Sequence, residues 1–187
     1  MKVQGNALRP GMIIEHKNHL WRVVKYQSTQ PGKGGAYAQV ELSQIGAGTK
    51  LNERFRSSED VERVRLDQQA YQYLFADGDM LTFMDAETFE QITLPRDTIG
   101  DAAAYLQDGM EVNIESHEGV PISVKLPDYV TLEIAETEPT VKGQTATSSP
   151  KPAVLENGVR VMVPQFINQG DRIVVATEDS TYTKRAD

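Results

Sequence analysis

The residue best placed for chemistry on another molecule is Lys33, in the run Gln30-Pro31-Gly32-Lys33-Gly34-Gly35-Ala36. Pro31 fixes its own φ, and the three glycines tolerate backbone conformations that other residues cannot adopt. Glycines also let main chain lie close to a ligand. The run therefore puts one long cation at the tip of a tight connection, with no bulky neighbour. Such a side chain can probe an anionic or hydrogen-bonding partner. A lone lysine in a glycine-rich turn also fits a simple solvated turn, and spacing alone leaves both readings open. A phosphate-binding loop does not fit. That pattern needs a Ser or Thr after the lysine and an earlier glycine where this chain has Gln27.

Other catalytic constellations fail on residue type. The chain has no cysteine, which excludes disulfides, thiolate metal sites and cysteine nucleophiles. The histidines are His16, His19 and His117. His16 and His19 have a metal-compatible spacing, but without a further His or a Cys beside them they read as turn residues. No Gly-x-Ser-x-Gly nucleophile elbow occurs. Asp77 and Asp79 sit in a turn, and Asp85, Glu87 and Glu90 read as a solvated face. Trp21, Phe55, Tyr71, Phe75, Phe83 and Phe89 are expected in the core. No cofactor motif and no metal site is evident, so the reading is non-enzymatic. The enzymatic rival makes Lys33 a Schiff-base nucleophile, which would need a desolvated lysine.

The elements that position Lys33 are strands. Leu20-Trp21-Arg22-Val23-Val24-Lys25-Tyr26 is rich in β-branched and aromatic residues. Period-two alternation marks residues 36–42, 50–55, 111–115, 130–134 and 172–175. Turn signals separate them at Pro10-Gly11, Lys17-Asn18, Gly46-Ala47-Gly48, Asp77-Gly78-Asp79, Glu118-Gly119 and Asn157-Gly158. Many short strands with regular turns predict small β-barrels. A helix is predicted over Ile99–Asp108, with Thr98 as N-cap and Gly109 as its stop. A shorter turn is expected at Ser57, with Asp60 three residues on. Gly109-Met110-Glu111-Val112-Asn113-Ile114 echoes Gly170-Asp171-Arg172-Ile173-Val174-Val175, which suits two copies of one barrel type.

Charge divides the chain. The total is −8 over 187 residues. Residues 1–64 carry 10 Lys+Arg against 6 Asp+Glu, a net +4. Residues 65–128 carry 3 against 13, and residues 129–187 carry 6 against 8. The first third is thus a basic module on an acidic body, the footprint of a nucleic-acid partner whatever the total charge. Plain surface variation would give the same counts. Boundaries fall near residues 64 and 128, giving modules 1–64, 65–128 and 129–187. No apolar run reaches the ~20 residues of a membrane helix. The expected location is the cytoplasm, with no membrane partner.

From Pro31-Gly32-Lys33-Gly34 onward, the chain resembles the translation elongation factor P family. The C-terminal stretch strengthens the resemblance. Lys151, Ala153, Gly158, Val161, Val163, Pro164, Ile167 and Gly170 stand at the spacing of the family signature. Leu8-Arg9-Pro10-Gly11, Glu53-Arg54-Phe55-Arg56, Phe83-Met84-Asp85 and Val130-Thr131-Leu132-Glu133-Ile134 extend it over essentially the whole chain.

The resemblance implies an all-β fold of three consecutive small barrels. An SH3-like barrel comes first, then two OB-fold barrels, in an elongated tRNA-like arrangement. It implies a monomeric elongation factor that binds the ribosome between the P and E sites and relieves stalling at consecutive prolines. Pro31, Gly32, Lys33 and Gly34 would meet the CCA end of P-site tRNA. Lys33 would be the target of a lysine-modifying enzyme that lengthens it by β-lysylation. Gly143, Gln144 and Thr145 would meet the E-site mRNA codon, and Tyr182 and Arg185 match positions of the final strand. Two departures stand out. The family usually has an acidic residue at Gln144, and commonly a basic residue and a glycine where this chain has Glu178 and Ser180. The rivals are a paralogous elongation factor P-like protein and a generic OB-fold RNA-binding protein. The intact tip, Pro31 to Gly34, favours the main family.

Overall fold

The computed structural model describes residues 1–139 and 149–187. The all-β expectation holds. The first sheet is formed by β1 (Lys2–Gln4), β2 (Ile13–His16), β3 (His19–Thr29), β4 (Tyr37–Gln44), β5 (Lys50–Arg56) and β6 (Asp60–Val64). Its order is β1-β6-β2-β3-β4-β5. Lys17 and Asn18 both take positive φ, 49° and 64°. That is the twist a two-residue hairpin turn requires, and it sets His16 opposite His19. Inward-facing residues pack one core: Leu8, Ile14, Trp21, Val23, Val40, Leu42, Phe55 and Val61. Trp21 spends its ring N–H on the carbonyl of His16 at 2.8 Å.

The second sheet contains β7 (Asp67–Asp77), β8 (Met80–Asp85), β9 (Gln91–Pro95), β10 (Glu111–His117) and β11 (Val120–Lys125), in the order β11-β10-β7-β8-β9. The third contains β12 (Tyr129–Thr137), β13 (Lys151–Leu155), β14 (Arg160–Val163), β15 (Arg172–Ala176) and β16 (Thr181–Arg185), in the order β14-β13-β12-β15-β16. The chain divides into two compact units. One is Met1–Gln69 with Ile114–Val124, and the other is Ala70–Asn113 with Lys125–Asp187.

The predicted echo is a repeated local structure. The N–H of Gly109 donates to Tyr73 O, and that of Gly170 to Ile134 O, each at 2.9 Å. The N–H of Tyr73 returns to Met110 O, and that of Ile134 to Asp171 O, each at 2.8 Å. Gly109 and Gly170 adopt φ of 81° and 88°. The ladder slips between Tyr73 and Phe75 in one sheet and between Ile134 and Glu136 in the other. The two sheets share strand order as well. Their long first strands, β7 and β12, are equivalent.

That slip corrects part of the predicted core. Trp21, Phe55 and Phe83 are buried, and Tyr71 is half-buried. Phe75, just past the bulge, is 51% exposed; the bulge turns it outward as it does the equivalent, exposed Glu136. Phe89 is 67% exposed because it occupies a left-handed turn position, φ 63°, between β8 and β9. The predicted helix is also corrected. Residues Arg96–Ile99 form one α-turn and Gly100–Tyr105 a 3₁₀ segment. Gly100, at φ 76° and ψ −151°, leaves the helical region and ends the i→i+4 ladder. Thr98 caps nothing, and Gly109 instead opens the turn into β10. At Ser57 the turn is present, closed by the N–H of Glu59 on Arg56 O at 3.0 Å, while Asp60 already begins β6.

Ser180 sits at φ 58°, a conformation that favours glycine. Its hydroxyl is also the partner of the buried Tyr105 hydroxyl, 2.6 Å away. The hydrogen bond offsets the backbone cost of a serine there. Tyr105→Phe should therefore cost about 1 kcal/mol in the wild type. It should cost close to nothing in a Ser180→Gly background, read as a double-mutant cycle in urea.

The phenols of Tyr71 and Tyr73 are held above the ordinary 10.0, first by burial. Asp85 and Glu90 add to the rise at Tyr71, and Asp108 at Tyr73, where Arg96 opposes it. Both titrate more easily in the unfolded chain. Their contribution to stability is complete below 10.0 and is lost as pH rises through the folded-state values. Urea midpoints at about pH 9 and about pH 11 should differ less in a Tyr71→Phe/Tyr73→Phe protein than in the wild type.

Candidate functional site

Lys33 occupies the connection between β3 and β4, whose last ladder pair is Thr29 with Tyr37. Residues 31–35, Lys33 included, are exposed. Gly34 adopts φ 110°, so glycine is required there by the backbone. No atom outside the chain neighbours lies within 4 Å of where a Cβ would stand at Gly32, Gly34 or Gly35. The tip is thus unobstructed, and the four residues Pro31 to Gly34 form one exposed projection.

The root is firm. Tyr37 faces Arg56 across β4–β5, and the N–H of Ser57 donates to Ala36 O at 3.0 Å. Gly5 packs beneath this edge: a Cβ on it would come within 2.5 Å of Arg56 O, so only glycine fits. Its N–H donates to Glu59 O at 2.9 Å.

Beside the root lies an open groove of about 630 Å³, lined in part by Gly35, Ala36, Tyr37, Arg54, Arg56 and Glu59. The Arg54 guanidinium lies over the Tyr37 ring, 4.2 Å from its centroid. Arg9 covers the Tyr26 ring in the same manner at 4.6 Å. Sequence reasoning passed over Tyr37 and Arg54 as site residues. The available signal was alternation: Lys50, Asn52, Arg54 and Arg56 all point outward from β5.

Within the same unit, Glu115 is buried yet fully paired. Arg22 Nη2 donates to it at 2.8 Å, Ser123 Oγ at 2.7 Å and Gln68 Nε2 at 3.4 Å. His16 Nε2 meets Glu53 Oε2 at 2.7 Å. Among the described residues, no group of three or more His, Cys, Asp or Glu is placed to hold a metal. No helix there is long and apolar enough to cross a membrane.

The other expected site residues belong to the second unit or lie outside the description. Tyr182 is half-buried on β16, opposite Val175, and lines a groove with Pro152, Met162 and Pro164. Arg185 is exposed, its Nη2 3.5 Å from Asp171 Oδ1, a weak surface pair. Gly143, Gln144 and Thr145 lie outside the described residues. The signature positions are structural. Ala153, Val161, Val163 and Ile167 are buried, Gly158 and Gly170 take positive φ, and the buried Lys151 ammonium donates to Glu138 O.

Comparison with known proteins agrees along the chain. Residues 4–61 match the Elongation factor P (EF-P) KOW-like domain, residues 66–124 the Elongation factor P (EF-P) OB domain, and residues 130–185 the family Elongation factor P, C-terminal. Elongation factor P of Parvibaculum lavamentivorans is 65% identical over 187 residues, covering 100% of both chains. That of Zymomonas mobilis is 61% identical, again over 100% of both. Among solved structures, eukaryotic translation initiation factor 5A from Methanococcus jannaschii aligns with a TM-score of 0.55 and 27% identity, over 68% of this chain and 92% of that one. An eIF-5A family protein from Naegleria fowleri, at 20% identity and a TM-score of 0.51 over 67% of this chain and 98% of that one, shares the fold. With matches to all three family domains and full-length relatives above half identity, the chain belongs to the elongation factor P family and is a translation elongation factor.

Proposed function

We propose that this factor binds the ribosome between the P and E sites and stimulates peptide-bond formation at consecutive prolines by steadying P-site tRNA. The exposure of Lys33 at an unobstructed tip on a firm root carries the reading. A solvated lysine held away from other side chains is suited to reaching a partner. It is poorly suited to Schiff-base chemistry, which favours a desolvated amine. The factor then acts by position, with no bond made or broken by its own residues.

The physical need is orientation. Proline's ring removes backbone freedom and makes it a poor participant in peptide-bond formation. A P-site tRNA whose CCA end wanders loses aligned geometry, and restoring alignment can supply several kcal/mol. Pro31, Gly32, Lys33 and Gly34 would contact that end, with Lys33 donating to tRNA backbone. The same exposure suits Lys33 as the substrate of a lysine-modifying enzyme, which would extend the reach of the cation.

In this reading the chain acts as three modules, 1–64, 65–128 and 129–187, in the cytoplasm and as a monomer. The first, with net charge +4, supplies attraction to phosphate, so binding weakens with salt. Tyr182 and Arg185 would add contacts from the last module, and Gly143, Gln144 and Thr145 would approach the E-site codon.

The test is reconstituted translation of a message with a run of prolines. Lys33→Ala should slow it toward the rate without factor. A proline-free message should be unaffected, and the urea midpoint should stay at its wild-type value. Proline-run synthesis at the wild-type rate would refute the role.

A further inference from the structure

One carboxylate of the first unit is buried where strand alternation would expose it. On β10 the buried residues Val112 and Ile114 alternate with the exposed Glu111 and Asn113. Glu115 shares the outward phase of Glu111 and Asn113, yet it is 5% exposed. Arg22 stands on the outward side of β3, between the buried Trp21 and Val23. The two outward faces meet, with Arg22 Nη2 donating to Glu115 Oε1 at 2.8 Å. Ser123 Oγ of β11 donates to the same oxygen at 2.7 Å, and Gln68 Nε2 to Oε2 at 3.4 Å. Among the described residues, no other ion pair joins the first sheet to residues 114–124. All of these groups lie in the first compact unit.

A buried ion pair is weak evidence for stability, because desolvation offsets the attraction. What it supplies is direction, since a guanidinium and a carboxylate meet in few orientations. Its place on β3 gives that direction leverage. Arg22 lies low on the β3–β4 ladder and Thr29, seven positions on, ends it. That is roughly 23 Å of strand, so a tilt of about 5° at the joint moves the strand end by about 2 Å. An error of about 1 Å can cost a hundredfold where reaction depends on alignment. The chain leaves this unit along β7, β10 and β11. The first sheet is therefore tied to the rest of the chain through the hairpin that carries Glu115 and Ser123.

We infer that Glu115 is a positioning residue for Lys33. Its joint with Arg22 fixes the tilt of the first sheet on the end of the β10–β11 hairpin, and with it the aim of the loop. This rests on the reading of Lys33 above. The joint touches no partner of the factor and acts only through the strand that bears the loop.

The chain has no cysteine, so nitroxide labels can be placed singly or in pairs. Labels at Ala47→Cys and Val120→Cys, both exposed, report the separation of the first sheet from the hairpin end. Their pulsed-EPR distance distribution should be narrow in the parent protein and broader with Glu115→Gln. In reconstituted translation of a proline run, unlabelled Glu115→Gln should lower the saturating rate on the order of tenfold. The factor concentration giving half the effect should not change. Arg22→Lys should give an intermediate rate, because charge survives and the fork does not. Arg22→Met/Glu115→Leu leaves no unpaired charge, so its urea midpoint should stay near the wild type. It should nevertheless remain slow and broadly distributed.

An unchanged distance distribution in Glu115→Gln would overturn the inference, and so would a wild-type rate despite broadening. A wild-type rate in the paired apolar variant would reduce the joint to stability alone and overturn it equally. Lys33→Ala separates the two readings. If that variant is slow on proline runs with a narrow distribution while Glu115→Gln is fast, only the positioning role fails. If Lys33→Ala is fully active, the parent reading fails, whatever the distances show.

Discussion

The pairing of β3 with β4 is the constraint on which the exposed Lys33 loop depends. The ladder runs from Trp21–Gln44 to Thr29–Tyr37. Its lower part is anchored in the core by Trp21, Val23, Val40 and Leu42. Its upper part is braced by β5, through Ala38–Phe55 and Tyr37–Arg56. A hairpin end braced by β5 along its β4 side transmits the rigidity of a packed sheet to the base of a loop. Residues 30–36 form the connection, tied at its base by the Ser57 N–H on Ala36 O. The cost of closing so short a connection is small once the strands are paired, and the lysine gains reach while its root stays fixed.

Electrostatics follow from the same sheet. A chain of net charge −8 is an unpromising partner for RNA, yet its first 64 residues carry +4. What any anionic partner would meet is the local field, which short separations and screening make dominant over the total. The sheet sharpens that field. Glu41 lies 3.6 Å from Lys25 and 3.5 Å from Lys50, and Glu53 lies 2.7 Å from His16 and 3.6 Å from Lys17. Arg54, on the exposed face of β5, lies over the Tyr37 ring.

The second and third sheets are one design used twice. Each has a long first strand with a bulge. Each has a glycine at positive φ that donates back to that strand, and the same strand residue's N–H donates in return to the carbonyl of the residue after the glycine. They differ in what precedes that glycine: an α-turn and a 3₁₀ segment in one, a short connection in the other. Within the second unit, the Tyr105–Ser180 hydrogen bond shows how a serine can occupy a glycine-like backbone position. The bond at the side chain compensates for strain in the main chain.

The all-β class, the strands β3, β4, β5, β10, β12 and β15, the turns at Lys17-Asn18 and Glu118-Gly119, and the exposed lysine between two strands were legible from local chemistry. Alternation, β-branching and glycine preferences act over a few residues and survive without a partner. The duplicated hairpin was legible too, because equivalent backbone demands select equivalent residues. Other features waited for the tertiary structure. Phe75 looks like core in sequence, and only the bulge after Tyr73 sends it outward. Ala102-Ala103-Ala104 favours helix, yet Gly100 breaks the ladder and a 3₁₀ segment follows with Ala103 and Tyr105 buried. The stacking of Arg54 on Tyr37 joins residues from different strands, so no local pattern could announce it. Short-range preferences determine elements and turns, while register between strands decides which side chains meet.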